Sequence, residues 1–322
     1  DSLPGRTRLG PPGVAVDEFR PRPATAAAAG LRALAARLAS AEPADPASSD
    51  QTSAFARDDA AAGAALARLD PGRDRLVAFV GKLIVSKGVD LLLAAWPLVV
   101  AAEPRARLVM VGFGAYREGA ERLVAGLAEG DLGAVRALAE RGRAVEGGPP
   151  SRLAFLLAFL DRLQADEALR ARYLDAGATL TDSVVFTGRL EHPELAQLLP
   201  ACEAIVVPST FPEAFGMVAA EAAACGVLPV SAAHSGLAEV SRELARALLA
   251  ETASLVSFEL GPAAVMDLAA RVSGWLRAPD GAREQTRAAL VRTAAERYSW
   301  EGVARGVILA AEGRLDDLSA PV

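Results

Sequence analysis

Two lysines and two glutamates are the residues here whose types and spacing could do chemistry. Lys82 and Lys87 are the only lysines, against 32 arginines, and lie five positions apart in GKLIVSKG (81–88). Glu213 and Glu221 lie eight apart in PSTFPEAFGMVAAEAAACG (208–226). Asparagine is absent, the pattern of GC-rich, bacterial coding in which Lys and Asn codons drift away. Two lysines surviving that drift side by side suggest that compact ammonium groups are wanted there, although chance would explain them equally well. Each signal alone is weak, since paired lysines are usually surface residues and two glutamates eight apart are usually solvated.

The neighbourhood of the glutamates says more. The apolar run AIVVPS (204–209) predicts a buried parallel strand ending at Ser209. A turn with Pro212, then Gly216, then an Ala-rich helix follow. Strand, tight turn and helix start make an anion site, because free N–H groups and the positive helix end point the same way. The N–H groups of Phe215, Gly216 and Met217 would face phosphate or sugar oxygens. Ser209, Ala214 and Val218 line the same turn, and Gly81 and Lys82 open the lysine loop. At a rise of about 1.5 Å per residue, Glu221 sits roughly 7 Å past Gly216, with its side chain leaning back toward the helix start. There it could accept hydrogen bonds from vicinal ribose hydroxyls, and Glu213 could accept those of a sugar. A nucleoside diphosphate fits this layout, with two ammonium groups stabilising its charge without a metal. No D-x-D triplet and no His/Cys/Asp cluster at metal-ligand spacing occurs in the chain.

The elements that must position these groups alternate. Strands are expected at 76–81, 107–112, 184–188, 204–209, 227–233 and 254–260. Helices are expected at 89–102, 192–202, 236–246, 262–277, 281–297 and 300–312, besides the Ala-rich one after Gly216. Four segments follow: a turn-rich, hinge-side opening (1–23), an Ala-rich helical and partly mobile surface excursion (24–70), a nucleotide-sugar-binding Rossmann-like lobe (71–298), and a C-terminal helix and tail (299–322). A helical insertion (115–178) interrupts the lobe, its segment 151–163 apolar on one face. This is a doubly wound parallel sheet of about six strands. In its usual strand order the first and fourth strands are neighbours at the switch point, where the two chemistry-bearing loops would meet.

Composition removes other classes. A net charge of −6 offers no basic field for nucleic acid. The longest apolar run, 91–102, is too short to span a bilayer. Cys202 and Cys225 read as free core thiols in a reducing cytoplasm. VGFGAYREG (111–119) lacks the third glycine of a dinucleotide fingerprint. His192 reads as structural at a helix start, and His234 as a solvated loop residue beside the cleft.

Three blocks then carry a resemblance: VGKLIVSKGVDLLL, VVFTGRLEHPELAQLLPACEAIVVPS and PEAFGMVAAEAAACG. In this order they resemble the family 4 glycosyltransferases, retaining enzymes of the GT-B fold that use nucleotide-sugar donors. The resemblance covers roughly 76–114 and 183–240. It implies that Lys82 and Lys87 take the diphosphate, that Glu213 lies near the donor sugar, and that Glu221 takes the ribose. It implies a base contact, largely through backbone, at Gly188, Arg189 and Leu190, although Arg189 reads equally well as a surface residue. Lys82 stands where the family mostly has arginine, which loses the bidentate fork. Ala15 replaces the usual aspartate of the opening motif GVAVDEFRP.

The implied activity is retaining transfer of a hexosyl group from a nucleoside-diphosphate sugar, with catalytic roles for Glu213, Lys82 and Lys87 and no metal or other cofactor. The family's N-terminal acceptor lobe is expected to be missing, leaving a donor-binding half that is inactive alone and exposes an apolar face suited to a homodimer. Two alternatives stay open: a non-catalytic nucleotide-sugar-binding module and a nucleotide-sugar epimerase of the same fold.

Overall fold

The computed structural model describes residues 8, 10–41 and 57–318. The sheet has six strands: β1 (Arg75–Val80), β2 (Ala106–Val111), β3 (Val184–Gly188), β4 (Ala204–Val207), β5 (Leu228–Ala232) and β6 (Ser257–Phe258). All pairings are parallel, in the order β3-β2-β1-β4-β5-β6. This is the doubly wound order, so β1 and β4 are neighbours at the switch point. β5 is buried along its whole length and β1 at its four central residues, because helices cover both faces of the sheet.

The helices are α1 (Ala24–Ala39), α2 (Asp59–Ala67), α3 (Val89–Ala102), α4 (Arg117–Ala128), α5 (Leu132–Arg141), α6 (Ala154–Ala165), α7 (Glu167–Gly177), α8 (Leu180–Ser183), α9 (His192–Leu198), α10 (Met217–Ala224), α11 (Ser235–Ala245), α12 (Ala250–Ala253), α13 (Ala264–Leu276), α14 (Asp280–Arg297) and α15 (Trp300–Ala311). One group packs around α3, with α4, α6, α7 and α13 against it; α10 packs on β4, β5 and α14. α3 runs through Pro97 without interruption, since the carbonyl of Leu93 loses one donor there and no more. The apolar face read at 151–163 is buried: Leu156, Leu157, Phe159, Leu160 and Leu163 of α6 all enter the core. β6 is shorter than the expected 254–260, because residues 254–256 turn out of α12 and only Ser257 and Phe258 pair with β5.

The 24–70 segment differs from its expectation as a surface excursion. Leu31, Leu34 and Leu38 of α1 and Leu66 of α2 are buried in the common core. Gly63 lets the two helices touch, for a Cβ there would lie 2.3 Å from the Ala39 nitrogen. Composition suggested little apolar bulk, but four leucines on facing stripes suffice to dock an Ala-rich pair. The polar linker 41–53 lies outside the described residues apart from Ala41, as do residues 54–56 of the second helical patch.

The opening turn is tied to the end of the chain, with the Val14 N–H donating to the Tyr298 carbonyl at 2.6 Å. At the end of the sheet away from the cleft, Glu203 receives Arg75 at 2.7 Å and also pairs with Arg287 and Arg283. Cys202 and Cys225 are buried free thiols; burial pushes the Cys225 thiol up to about 12. Among the described residues, no helix is long and apolar enough to cross a membrane.

Candidate functional site

The loops after β1 and β4 are fastened together by their backbones. The Ser86 carbonyl accepts from the Thr210 N–H at 2.9 Å and from the Ser209 Oγ at 3.0 Å. Gly88 closes the lysine turn with φ +67°, and a Cβ there would lie 1.9 Å from the Pro208 carbonyl oxygen. Only glycine admits both that dihedral and that approach. The turn it closes, Val85–Lys87, aims the Lys87 ammonium across the cleft onto Glu213, with which it forms an ion pair. Residues 126 positions apart in sequence thus meet at the switch point, where the doubly wound strand order was expected to bring their loops.

Lys82 is exposed, and no described residue pairs with its ammonium. It stays at the loop's entrance while Lys87 reaches in. Gly81 N–H donates to the Val111 carbonyl at 3.0 Å, extending the strand pairing to the loop's start. Ser209 is buried; Ala214 is exposed, and Phe215, Met217 and Val218 are half-buried. No described group accepts from the N–H groups of Phe215, Gly216, Met217 or Val218 at the start of α10. Free amides at a helix start are where an anion docks. Phe215 is fixed by an edge-on contact with Tyr298 at 5.6 Å between ring centres.

Glu221 lies inside α10 with its side chain 7% exposed. Burial raises its pKa, opposed by the charge and hydrogen bond of His192, whose Nε2 is 3.4 Å from Oε1. Glu221 does not join the Lys87–Glu213 pair. It faces the β3 loop, where Gly188 adopts φ +72° and Leu190 turns its side chain into the core. Arg189 folds back on Glu191 at 2.9 Å.

Two histidines correct the sequence reading. His192 is not only a helix-start residue; its ring stands over Glu221 and edge-on to Phe19. His234 is not a solvated loop residue. Its Nε2 is 2.7 Å from the Ser209 carbonyl oxygen, and its Nδ1 is 3.0 Å from the Ser235 Oγ. That hydroxyl accepts from the Glu213 N–H at 2.9 Å, and the Gly236 N–H donates to the Glu213 carbonyl at 2.9 Å. A His234–Ser235–Gly236 brace therefore holds the backbone on both sides of Glu213. Ser235 sits at φ +51°, an uncommon backbone for a side-chain-bearing residue, held by these bonds. A second brace was also missed. Arg37 of α1 and Arg57, just before α2, each reach Glu194 of α9 at 3.0 Å, and Arg57 reaches Glu191 at 3.3 Å. Burial works against the charge on Glu194, but the Glu191 N–H and the two arginines hold it below the ordinary carboxylate range. The β3 loop is thus anchored by the 24–70 segment. A sequence signal existed for His192, in its place four residues after Gly188; none existed for Arg57, whose partners come from the fold.

Comparison with known proteins bears on the family and the fold. Residues 155–270 match the family Glycosyl transferases group 1. Over 254 residues the chain is 28% identical to a D-inositol 3-phosphate glycosyltransferase of Segniliparus rotundus, covering 79% of this chain and 43% of that protein. It is 32% identical over 224 residues to a glycogen synthase of Mycobacterium tuberculosis, covering 69% and 46%. Two solved structures share the fold. One is Anabaena Alr3699/HepE in complex with UDP, with a TM-score of 0.52 and 15% identity over 94% of this chain and 56% of that one. The other is sucrose-phosphate synthase from Thermosynechococcus elongatus, with a TM-score of 0.52 and 21% identity over 97% and 53%. The chain spans about half the length of these curated relatives and structures. The fold is that of one doubly wound lobe of the GT-B type, and through residues 155–270 the chain is similar to the group 1 glycosyl transferases.

Proposed function

We propose that this chain binds the donor in a glycosyl transfer reaction, holding a nucleoside-diphosphate sugar across the switch point. The observation that carries the reading is the Lys87–Glu213 pair, which brings the ammonium loop and the α10 start to one place. In this reading the diphosphate lies against the free amides of α10, with Lys87 and Lys82 matching its charge in place of a divalent cation. Glu221 takes the ribose hydroxyls, beside His192. The base lies along the backbone of Gly188 to Leu190, and Glu213 orients the sugar.

The transfer itself would retain configuration. The bond from the sugar's anomeric carbon to the diphosphate oxygen breaks, and the acceptor oxygen bonds to that carbon on the same face. The departing phosphate oxygen takes the acceptor's proton. The chain's own groups position the donor and stabilise the charge that develops on the diphosphate. The transferred group is a hexosyl unit, in line with the glycosyl transfer that the relatives' names describe. The acceptor site is supplied by protein beyond this lobe, a reading supported by the half-length overlap with the relatives and by α15. That helix leaves Trp300, Val307 and Ile308 between 56% and 63% exposed, an apolar stripe for such a partner lobe or a second copy.

Calorimetric titration with UDP, GDP, ADP and their sugars tests the donor reading. One diphosphate series should bind, and Lys87→Ala should weaken it by roughly fiftyfold, the loss of one charge-assisted contact. Equal affinity in the variant would remove Lys87 from the site. Product analysis with the donor alone separates this reading from an epimerase, which would interconvert the sugar without an acceptor.

A further inference from the structure

The 115–178 insertion meets the ammonium loop through the Tyr116 N–H, which donates to the Leu83 carbonyl at 2.9 Å, and through the side chain of Glu146. Glu146 ends a short 3-10 turn, Arg143–Glu146, after α5. Its Oε2 accepts from the Val85 N–H at 2.8 Å, and its Oε1 accepts from the Arg143 Nε at 3.2 Å. The Glu146 side chain is 8% exposed. Val85 begins the turn that ends in Lys87, and the N–H groups of Lys87 and Gly88 close that turn onto Ile84 and Val85. Glu146 therefore fixes the first amide of the turn whose last side chain spans the cleft.

A carboxylate is an expensive choice for that task. Its charge adds to the strain on Asp90, which is buried in the first turn of α3 with its carboxyl pushed up to about 7. It lies near a group already without a partner, for the Tyr116 hydroxyl is buried with no hydrogen bond among the described residues. Its negative charge also lies behind a loop meant to meet an anion. Packing alone would be met by an apolar residue. What a carboxyl oxygen adds is a directed acceptor for one backbone N–H, and that N–H sets where Lys87 points.

We infer that Glu146 is a positioning residue for the diphosphate: by holding the Val85 amide, it sets the turn that presents Lys87 to the phosphates. The inference rests on the donor reading above. It gives the insertion a role in donor binding, acting through the phosphates and not through the base or ribose.

The test compares binding of UDP and of uridine by calorimetry, or of GDP and guanosine if the wild-type chain prefers that base. Glu146→Ala should weaken the diphosphate roughly tenfold while leaving the nucleoside unchanged, the worth of one charge-assisted hydrogen bond to the loop. Glu146→Leu keeps the buried volume without an acceptor and should behave like the alanine variant. Glu146→Gln keeps an amide oxygen for Val85 and should restore the diphosphate to within about twofold of wild type. In a Lys87→Ala background, Glu146→Leu should have no further effect on the diphosphate. A diphosphate affinity untouched in both the alanine and leucine variants, or a nucleoside lost in proportion, would overturn this inference alone. A wild-type chain that binds no nucleoside diphosphate would overturn the donor reading, and this inference with it.

Discussion

The carboxyl of Glu221 is placed where an ordinary surface acid would not be left. On a side chain seven per cent exposed, and raised by burial, it has His192 as its one described polar neighbour, at a long 3.4 Å. A buried acceptor so lightly engaged has capacity left for a ligand's donors. In the proposed donor reading two vicinal hydroxyls would supply them, so the ribose should be read here. Glu221→Ala should weaken UDP by roughly tenfold while barely changing 2′-deoxy-UDP, so that the preference for ribose collapses. Calorimetry with both nucleotides checks this, and a wild-type chain indifferent to the 2′-hydroxyl would take Glu221 out of that role. Glu213 is arranged differently. It is half-buried and already paired with Lys87, so in the proposed donor reading a phosphate arriving at Lys87 would free this carboxyl for the sugar.

At the scale of elements, the cleft is made by loops that other elements hold in place. The start of α11 does this for the Glu213 loop. Gly236 packs so closely that a Cβ would lie 2.5 Å from the Ala214 carbonyl oxygen, and its N–H donates to Glu213. Backbone cannot yield as a flexible side chain can, so Gly236→Ala must displace the 209–216 loop or α11 itself. Donor affinity should fall by more than tenfold, while the far-ultraviolet circular dichroism of the fold is kept, because the overlap is confined to one loop. Titration of the variant with its preferred diphosphate would show this, and unchanged affinity would mean that the loop tolerates movement. The β3 loop has its own anchor in Arg37 and Arg57, which turn an Ala-rich helix pair into part of the site wall.

Over the whole molecule, one buried acid links stability to pH. Asp90 is 4% exposed, and its carboxyl is raised from 3.8 to about 7, chiefly by burial. The folded chain thus holds a proton that the unfolded chain releases above about pH 4. The contribution is fully present below the unfolded value and is lost as pH rises through 7. Asp90→Asn removes that ionisation. The variant should be the more stable of the two at pH 8, by a few kcal/mol at most, with the gap closing as pH approaches 4. Urea denaturation of both proteins at several pH values measures it, and parallel stability curves would contradict the assignment. At the opposite end of the sheet, Glu203 gathers Arg75, Arg283 and Arg287.

The sequence by itself determined the alternation of strand and helix, the six-stranded parallel class and the two loops that meet at the switch point. It could do so because buried parallel strands read as apolar runs, and a glycine-marked turn before a helix has a local signature. It also placed Lys87 and Glu213 together, since the doubly wound order makes the first and fourth strands neighbours. Only the tertiary structure decided which side chains hold those loops still. Glu146 on the Val85 amide, Arg57 on Glu194, His234 on the Ser209 carbonyl and His192 over Glu221 join residues from 25 to 137 positions apart. Such contacts leave no period or motif along the chain, because they depend on where separately folded segments dock.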